Sequence, residues 1–250
     1  MKKIIYTTNK VRTENYFKKF NRIKLLKSLI GNNPIILDIG ANKGQSTEEF
    51  LKNFKKPKIH CFEPQDQSIN ILRKKFKNNN KVIINQSAIH NLKKKVKFYY
   101  HDFISPNTSG LSGLYKLNTK SQDSINLKNL KKDHKKKYVN QLNKFYILKT
   151  STMKDYIIKN KINNIDLVKI DTQGNEDNIL KGFGKYLKKI KIIVLEIMLY
   201  DIYSKKLSFF DIEKILRPYG FELYDISHIS KNPLNGRTDW VDVVYKRSNS

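Results

Sequence analysis

The sequence predicts an α/β fold with a mostly parallel sheet, an antiparallel final hairpin and helices on both faces. Short apolar runs alternate with helical patterns along most of the 250 residues, as expected for strands joined by helical crossovers. An early apolar run stops abruptly at a loop that contains glycines, and the last two runs are joined without a helix. Together these observations favour an open sheet with a ligand site at one edge.

The first half of the chain reads as a helix followed by alternating strands and helices. Apolar residues at helical spacing in 14–30, before Gly31 and Pro34, predict a helix that covers one side of the sheet. The short apolar runs that follow predict buried strands with helices between them. The expected strands are 35–39, 58–62 and 82–85, and the expected helices are 45–54 and 68–76.

The middle of the chain is less regular. A strand is expected at 96–103, followed by a flexible loop in which 107–113 is a candidate for part of a pocket. The polar, lysine-rich stretch 116–143 is expected to be a solvated insertion, and a dedicated binding patch stays open as the alternative. Order is expected to return at 145–152, with helices at 153–160, 175–183 and 209–216 and strands at 165–171 and 191–199.

The chain closes with two strand patterns, at 221–227 and 240–246. The segment between them, HISKNPLNGRTD, has no helical pattern, so the two strands are expected to be antiparallel neighbours. A dinucleotide-binding domain would instead be expected to finish with a parallel strand after a helix.

The charge is strongly basic, with 50 Lys and Arg against 22 Asp and Glu, a formal net charge of +28 and a sequence pI near 9.9. Such an excess attracts nucleic acid, anionic lipid or acidic glycans. Most of the basic residues are lysines scattered among asparagines and isoleucines, which favours a compositional origin over selected polyanion binding. Nonspecific polyanion binding therefore stays open.

Cysteine content and hydropathy indicate the compartment. Cys61 is the one cysteine and lies in an apolar run, so we expect a buried thiol and neither a disulfide nor a cysteine-based zinc site. The N-terminus lacks the apolar core of a signal peptide, and no stretch approaches the roughly 18 apolar residues of a membrane helix. We therefore expect a soluble, cytoplasmic protein.

The loop after the first strand, in ILDIGANKGQST, is the first functional signal. Gly40 permits a sharp turn, Asn42 tolerates a left-handed backbone, and Gly44 lets the next helix start close to the strand. The spacing G-x-N-x-G differs from the G-x-G-x-x-G expected for NAD, where a side chain at Asn42 would crowd the pyrophosphate. Glu63 ends the second strand, where a carboxylate can accept both hydroxyls of an adenosyl ribose.

Several segments in order resemble the FkbM-type methyltransferases, which are class I enzymes that use S-adenosylmethionine (SAM). LDIGANKGQST is similar to the first motif of that family, HCFEP to the second and LVKIDTQGNEDNILKG to the third. The segments IIVLEIMLYDIY, FFDIEKILRPYGFELYDI and DVVYKR resemble the closing part of the family. The resemblance runs from about residue 35 to residue 247 and is interrupted by the basic insertion.

The resemblance implies a Rossmann-like, seven-stranded sheet with a reversed final hairpin, and methyl transfer to an oxygen of a sugar in a surface glycan or of a natural product. It divides the chain into an N-terminal helical extension, 1–34, and a methyltransferase domain, 35–250. By the same resemblance Glu63 holds the ribose. The residues expected to frame the methionine part of SAM are Asp38, Gly40, Asn42 and Gly44, and those expected near the adenine are Ser87 and Ala88.

The third motif supplies the candidate catalytic residues. SAM already has an excellent leaving group, so the protein mainly has to align the acceptor oxygen and help to remove its proton. Asp171, at the end of a strand, is the expected base, with Lys169 on the same strand face and Glu176 at the start of the next helix. Asp171 and Glu176 are also candidate ligands of a divalent cation, which we do not expect.

Each of these residues has a simpler interpretation. Asp171 and Glu176 suit the N-terminus of the following helix, and Lys169 suits a strand lysine that extends to solvent. His101 and His228 are weaker candidates at strand ends. The alternative functions, motivated by the net charge, are a nucleic-acid methyltransferase and an RNA-binding protein on the same fold.

Overall fold

The computed structural model of the protein describes residues 21–101, 108–118, 143–232 and 235–248. The start of the predicted 14–30 helix, the end of the predicted 96–103 strand and most of the lysine-rich insertion lie outside these ranges. The division into an N-terminal extension and a catalytic domain stays a prediction.

The described residues form an α/β unit whose elements follow the expected alternation. The helices are α1 (Arg22–Ile30), α2 (Gln45–Asn53), α3 (Asp66–Lys75), α4 (Met153–Lys159), α5 (Glu176–Phe183) and α6 (Phe209–Leu216). The strands are β1 (Ile35–Ile39), β2 (Lys58–Phe62), β3 (Val82–Asn85), β4 (Ala88–Ile89), β5 (Lys95–Tyr99), β6 (Phe145–Ser151), β7 (Ile165–Ile170), β8 (Ile190–Met198), β9 (Phe221–Lys231) and β10 (Thr238–Arg247).

The main sheet has seven strands in the order β3-β2-β1-β7-β8-β10-β9. The first five strands in this order pair in parallel with their neighbours. Strand β10 is antiparallel to both β8 and β9. The predicted seven-stranded sheet with a reversed final hairpin is therefore confirmed. Because the parallel strands end at the same edge, the loops after β1, β2, β7 and β8 meet there, as a ligand site in an open sheet requires.

Two apolar clusters hold helices against the two faces of this sheet. One cluster joins α1, α2 and α3 to the sheet through buried residues such as Leu26, Phe50 and Leu72. The other joins α4, α5 and α6 through residues such as Met153, Leu180 and Leu216. The central strands β1, β7 and β8 are buried on both faces, which explains their nearly continuous runs of isoleucine, leucine and valine.

The structure corrects three boundaries. The hairpin strands β9 and β10 are longer than expected, because 228–230 pair with 240–242 and Lys231 pairs with Thr238. Strand β5 ends at Tyr99, where the chain turns to form a bridge with Gly113. Strands β4, β6 and β5 form a second, three-stranded sheet that periodicity did not predict. In the part of the chain that is described, none of the helices is long and apolar enough to cross a membrane.

Candidate active site

The loop after β1 adopts the left-handed backbone that its sequence predicts. The φ angles of Gly40, Asn42 and Gly44 are 83°, 46° and 85°. The amides of Gly40 and Ala41 donate to the Phe62 carbonyl at 2.9 and 3.1 Å, which ties the loop to the end of β2. A Cβ on Gly40 would lie 1.9 Å from the Asp171 carbonyl oxygen, so only glycine fits between the two strand ends.

We expect Gly40→Ala to destabilise the protein by roughly 2–4 kcal/mol, because the new Cβ adds a backbone clash to the cost of a positive φ. Gly220→Ala is the matched control. Gly220 also has a positive φ, of 80°, but its added Cβ would meet its nearest atom at an ordinary 3.8 Å. Urea unfolding measures both variants, and equal destabilisation would contradict the close contact with Asp171.

A cavity of about 790 Å³ opens beside this loop. This volume includes the space at the open mouth of the cavity. Gly110, Ser112, Gly113 and Leu114 line one side, so the described part of the predicted pocket loop does contribute to it. The other lining residues include Gly40, Asn42, Phe62, Glu63, Ser87, Ala88, Ile89, Phe98, Asp171, Gln173 and Glu196.

Glu63 is buried at the end of β2 and lines this cavity. Its two carboxylate oxygens accept the backbone amides of Asn42 and Gln65, each at 2.9 Å. Burial raises the pKa of Glu63 to about 7, and the two amide bonds offset part of that rise. Each oxygen keeps acceptor capacity, so the residue can serve both the loop and the diol of a ligand.

Asp38 lies beneath the loop, outside the residues that line the cavity. It is fully buried, and its Oδ2 accepts the Thr47 hydroxyl at 2.7 Å. Burial raises the pKa of Asp38, although Lys169, with Nζ 4.0 Å from Oδ1, acts in the opposite direction. These contacts place Asp38 behind the loop that it was expected to share with the ligand, and its role toward methionine stays a prediction.

Lys169 and Asp171 form an ion pair at the end of β7, as their shared strand face predicts. The Lys169 Nζ donates to Asp171 Oδ2 at 3.1 Å, and the Gln173 amide donates to Asp171 Oδ1 at 2.8 Å. Burial opposes ionisation of Asp171, but the charge and hydrogen bond of Lys169 outweigh it and lower the pKa of Asp171. Both oxygens are thus already engaged, which makes Asp171 a weak proton acceptor.

Glu196, near the carboxyl end of β8, is a site residue that we did not predict. The Gln173 amide also donates to Glu196 Oε1, at 3.2 Å, and so links Glu196 to Asp171. The Tyr203 hydroxyl donates to Gln173 Oε1 at 2.6 Å and fixes the amide orientation. Burial, with the nearby charge of Asp171, raises the pKa of Glu196 to about 9. A lone carboxylate in the apolar run KIIVLEIM was the available signal.

Residues 38–223, which are well over half of the chain, match the methyltransferase FkbM domain. The chain belongs to the FkbM methyltransferase family. The predictions of this family and of a SAM-dependent methyltransferase are therefore confirmed.

Three proteins similar to this FkbM methyltransferase have 12–25% sequence identity to it. The 2-O-methyltransferase NoeI of Sinorhizobium fredii is 25% identical over 177 residues, which are 70% of this chain and 67% of NoeI. The precorrin-6y C5,15-methyltransferase of Geobacter metallireducens is 12% identical, with a TM-score of 0.44 over 90% of this chain and 86% of that one. TrmK of M. capricolum, solved with S-adenosylhomocysteine, is also 12% identical, with a TM-score of 0.46 over 91% and 68% of the two chains.

Glu176 of the FkbM methyltransferase holds the turn before α5. Its Oε1 accepts the backbone amide and the hydroxyl of Thr172, at 3.0 and 3.1 Å. Burial raises the pKa of Glu176 to about 7. These contacts match the simpler interpretation of a carboxylate at a helix N-terminus, and a catalytic role for Glu176 stays a prediction.

A second cleft, of about 620 Å³, lies on the α1 side of the sheet and shares Asp171 and Glu196 with the first cavity. His228 lines this cleft, whereas His101 is fully buried, with its backbone amide bonded to Ser112. Within the described ranges, no group of three or more His, Cys, Asp or Glu side chains is arranged to hold a metal ion. Cys61 is buried, as expected, and its Sγ lies 3.1 Å from the Thr47 hydroxyl oxygen, within hydrogen-bond distance.

Proposed function

We propose that this methyltransferase transfers the methyl group of SAM to a hydroxyl oxygen, and that the hydroxyl belongs to a sugar. The observation that carries the proposal is the cavity that connects Glu63, at the end of β2, with the carboxylates of Asp171 and Glu196. The printed function of the relative NoeI, 2-O-methylation, supports an oxygen acceptor. The sugar is the acceptor class that the family resemblance implies.

The residues that line the cavity fit SAM. Glu63 offers carboxylate oxygens to a ribose diol, and apolar surface from Phe62, Ile89 and Phe98 suits an adenine ring. At the other end, the ionised Asp171 carboxylate favours a cation such as the sulfonium. When bound, SAM supplies a methyl group on an excellent leaving group.

The chain itself has to position the acceptor and receive its proton. We assign this task to the carboxyl pair that the Gln173 amide joins. Glu196 accepts the proton, because a pKa raised to about 9 makes its ionised form the stronger proton acceptor of the pair, and Asp171 keeps a negative charge fixed by Lys169. This assignment revises the expectation that Asp171 itself is the base.

Calorimetric titration of the purified protein with SAM, and with NAD as the control ligand, tests the donor. We expect micromolar binding of SAM and no binding of NAD, because Asn42 occupies the place where NAD requires a glycine. Absence of SAM binding would reject the proposed function.

We expect Glu63→Ala to weaken SAM binding at least tenfold, the effect of one or two lost charge-assisted hydrogen bonds. The change also removes the acceptor of the Asn42 and Gln65 amides, so urea unfolding must accompany the titration. Asp66→Ala is the control, since Asp66 is exposed nearby but does not line the cavity. Unchanged SAM affinity in Glu63→Ala would remove Glu63 from the ribose site.

A further inference from the structure

The second cleft lies on the face of the sheet that packs against α1. On β10, Asp242 lies directly opposite Glu196 of β8 on one side and His228 of β9 on the other. Trp240 precedes Asp242 by two residues and so lies on the same face of β10. Arg22 of α1 closes one side. The lining thus combines an aromatic ring with hydrogen-bonding groups that converge from four elements.

The cations of this cleft are already neutralised by carboxylates. Arg22 Nη1 donates to Asp242 Oδ2 at 2.8 Å, and Arg22 Nη2 lies 3.3 Å from Glu49 Oε2. Lys169 is paired with Asp171 at 3.1 Å and lies 4.0 Å from Asp38. A phosphate or a carboxylate entering the cleft would meet the lining carboxylates of Asp171 and Asp242 as well as the cations, so the site disfavours an anionic ligand.

The same groups suit a neutral, hydroxyl-rich ligand. Carboxylates accept hydroxyl protons, and guanidinium and ammonium groups donate to hydroxyl oxygens. The half-buried Trp240 ring offers a flat apolar surface to the C–H face of a sugar. A few converging polar groups around an apolar surface are the usual composition of a small-molecule site.

The position of the cleft relates it to methyl transfer. Asp171 and Glu196 line both the cleft and the proposed SAM cavity, so a hydroxyl at this shared wall would face both sites. We propose that the second cleft is the acceptor site and that it binds a neutral sugar ring, packed against Trp240, with one hydroxyl at the Asp171–Glu196 wall. The inference rests on the proposed function and adds the location and the charge of the acceptor.

Trp240 makes the cleft directly observable, because it is the one tryptophan among the 250 residues. The protein is first saturated with S-adenosylhomocysteine, and calorimetry confirms that this product binds. Failure at this step would count against the proposed function, before the cleft is tested. Tryptophan emission is then followed during titration with methyl glycosides of hexoses, 6-deoxyhexoses and N-acetylhexosamines. Glucuronic acid and a short RNA serve as charged comparators.

We expect at least one neutral glycoside to change the Trp240 emission saturably, with little dependence on salt. The proposal is overturned if none of the neutral glycosides does so, or if the responses come from glucuronic acid or RNA alone. An RNA response that disappears at higher salt would instead indicate nonspecific attraction by the net charge.

Variants separate the cleft from the cofactor cavity. Calorimetry of Trp240→Ala should show at least tenfold weaker glycoside binding, with Trp240→Phe recovering part of the loss and both variants binding S-adenosylhomocysteine as the wild type does. Glu222→Gln, an exposed change opposite Lys246 on the same hairpin, is the control for both ligands. Unchanged glycoside affinity in Trp240→Ala would place the acceptor elsewhere.

Discussion

Glu196→Gln is expected to lower the turnover number measured near pH 9, where much of the wild-type Glu196 is ionised, by about 10²- to 10⁴-fold, the usual contribution of a general base. Glutamine keeps the size of the side chain and an oxygen for the Gln173 amide, but it cannot take up the proton of a hydroxyl. SAM affinity should change by no more than a few fold, because the buried Glu196 is mostly protonated at neutral pH, where its pKa is raised to about 9. Calorimetry with SAM and a methyl-transfer assay measure the two effects separately.

The pH profile of the wild type distinguishes Glu196 from Asp171 as the base. A base must be ionised, so with Glu196 in this role kcat/KM should rise tenfold per pH unit and level off near pH 9. Lys169 lowers the pKa of Asp171, so with Asp171 as the base the same profile would already be flat in the neutral range. A flat profile, together with full activity of Glu196→Gln, would return the role to Asp171.

Asp171→Asn is expected to have the second largest effect, at least 10²-fold on turnover, with a much smaller effect on SAM binding. The change removes the fixed negative charge beside the acceptor and leaves Lys169 with Asp38 as its remaining partner, at 4.0 Å. It should also lower the free energy of unfolding by roughly 1–2 kcal/mol. This loss is modest because the pair is only partly buried, with 36% of the Asp171 side chain exposed.

The double variant Lys169→Met/Asp171→Asn tests the origin of that stability loss. If the unpaired Lys169 charge causes it, removing the ammonium should recover most of the stability while turnover stays low. A double variant with wild-type turnover would show that neither charge contributes to methyl transfer. A stability loss that persists in full would assign the effect to packing around Gln173 instead.

The glycine loop and Glu63 were predictable because their signals are local. A strand that ends in Gly40, Asn42 and Gly44 specifies positive φ angles through the residue types themselves, and the structure has all three. Glu63 follows from its place after β2, and the Lys169–Asp171 pair follows from the two-residue period of a strand. None of these inferences required knowledge of which strands are neighbours.

The sequence did not predict the site roles of Glu196, Gln173 and Asp242, because these roles depend on which strands are neighbours. Glu196 and Asp242 are directly opposite one another only in the antiparallel register of β8 and β10, and each lies in an apolar strand that reads as core. Gln173 lies within the third motif, but its link between Asp171 and Glu196 depends on the adjacency of β7 and β8. Hydrophobic periodicity reports the face of a residue and not its cross-strand neighbour.

By itself the sequence determined the class of fold, the glycine loop and the carboxylates at two strand ends, because backbone conformation and strand periodicity depend on residues close in the chain. The methyltransferase family was predicted from the resemblance of its motifs to that family. The tertiary structure decided which groups meet. It joined Glu196 to Asp171, closed the second cleft with Arg22 and Trp240, and placed Asp38 beneath the loop. The physical reason is that strand order and register are set by packing between distant segments, and that packing determines which buried charges become partners.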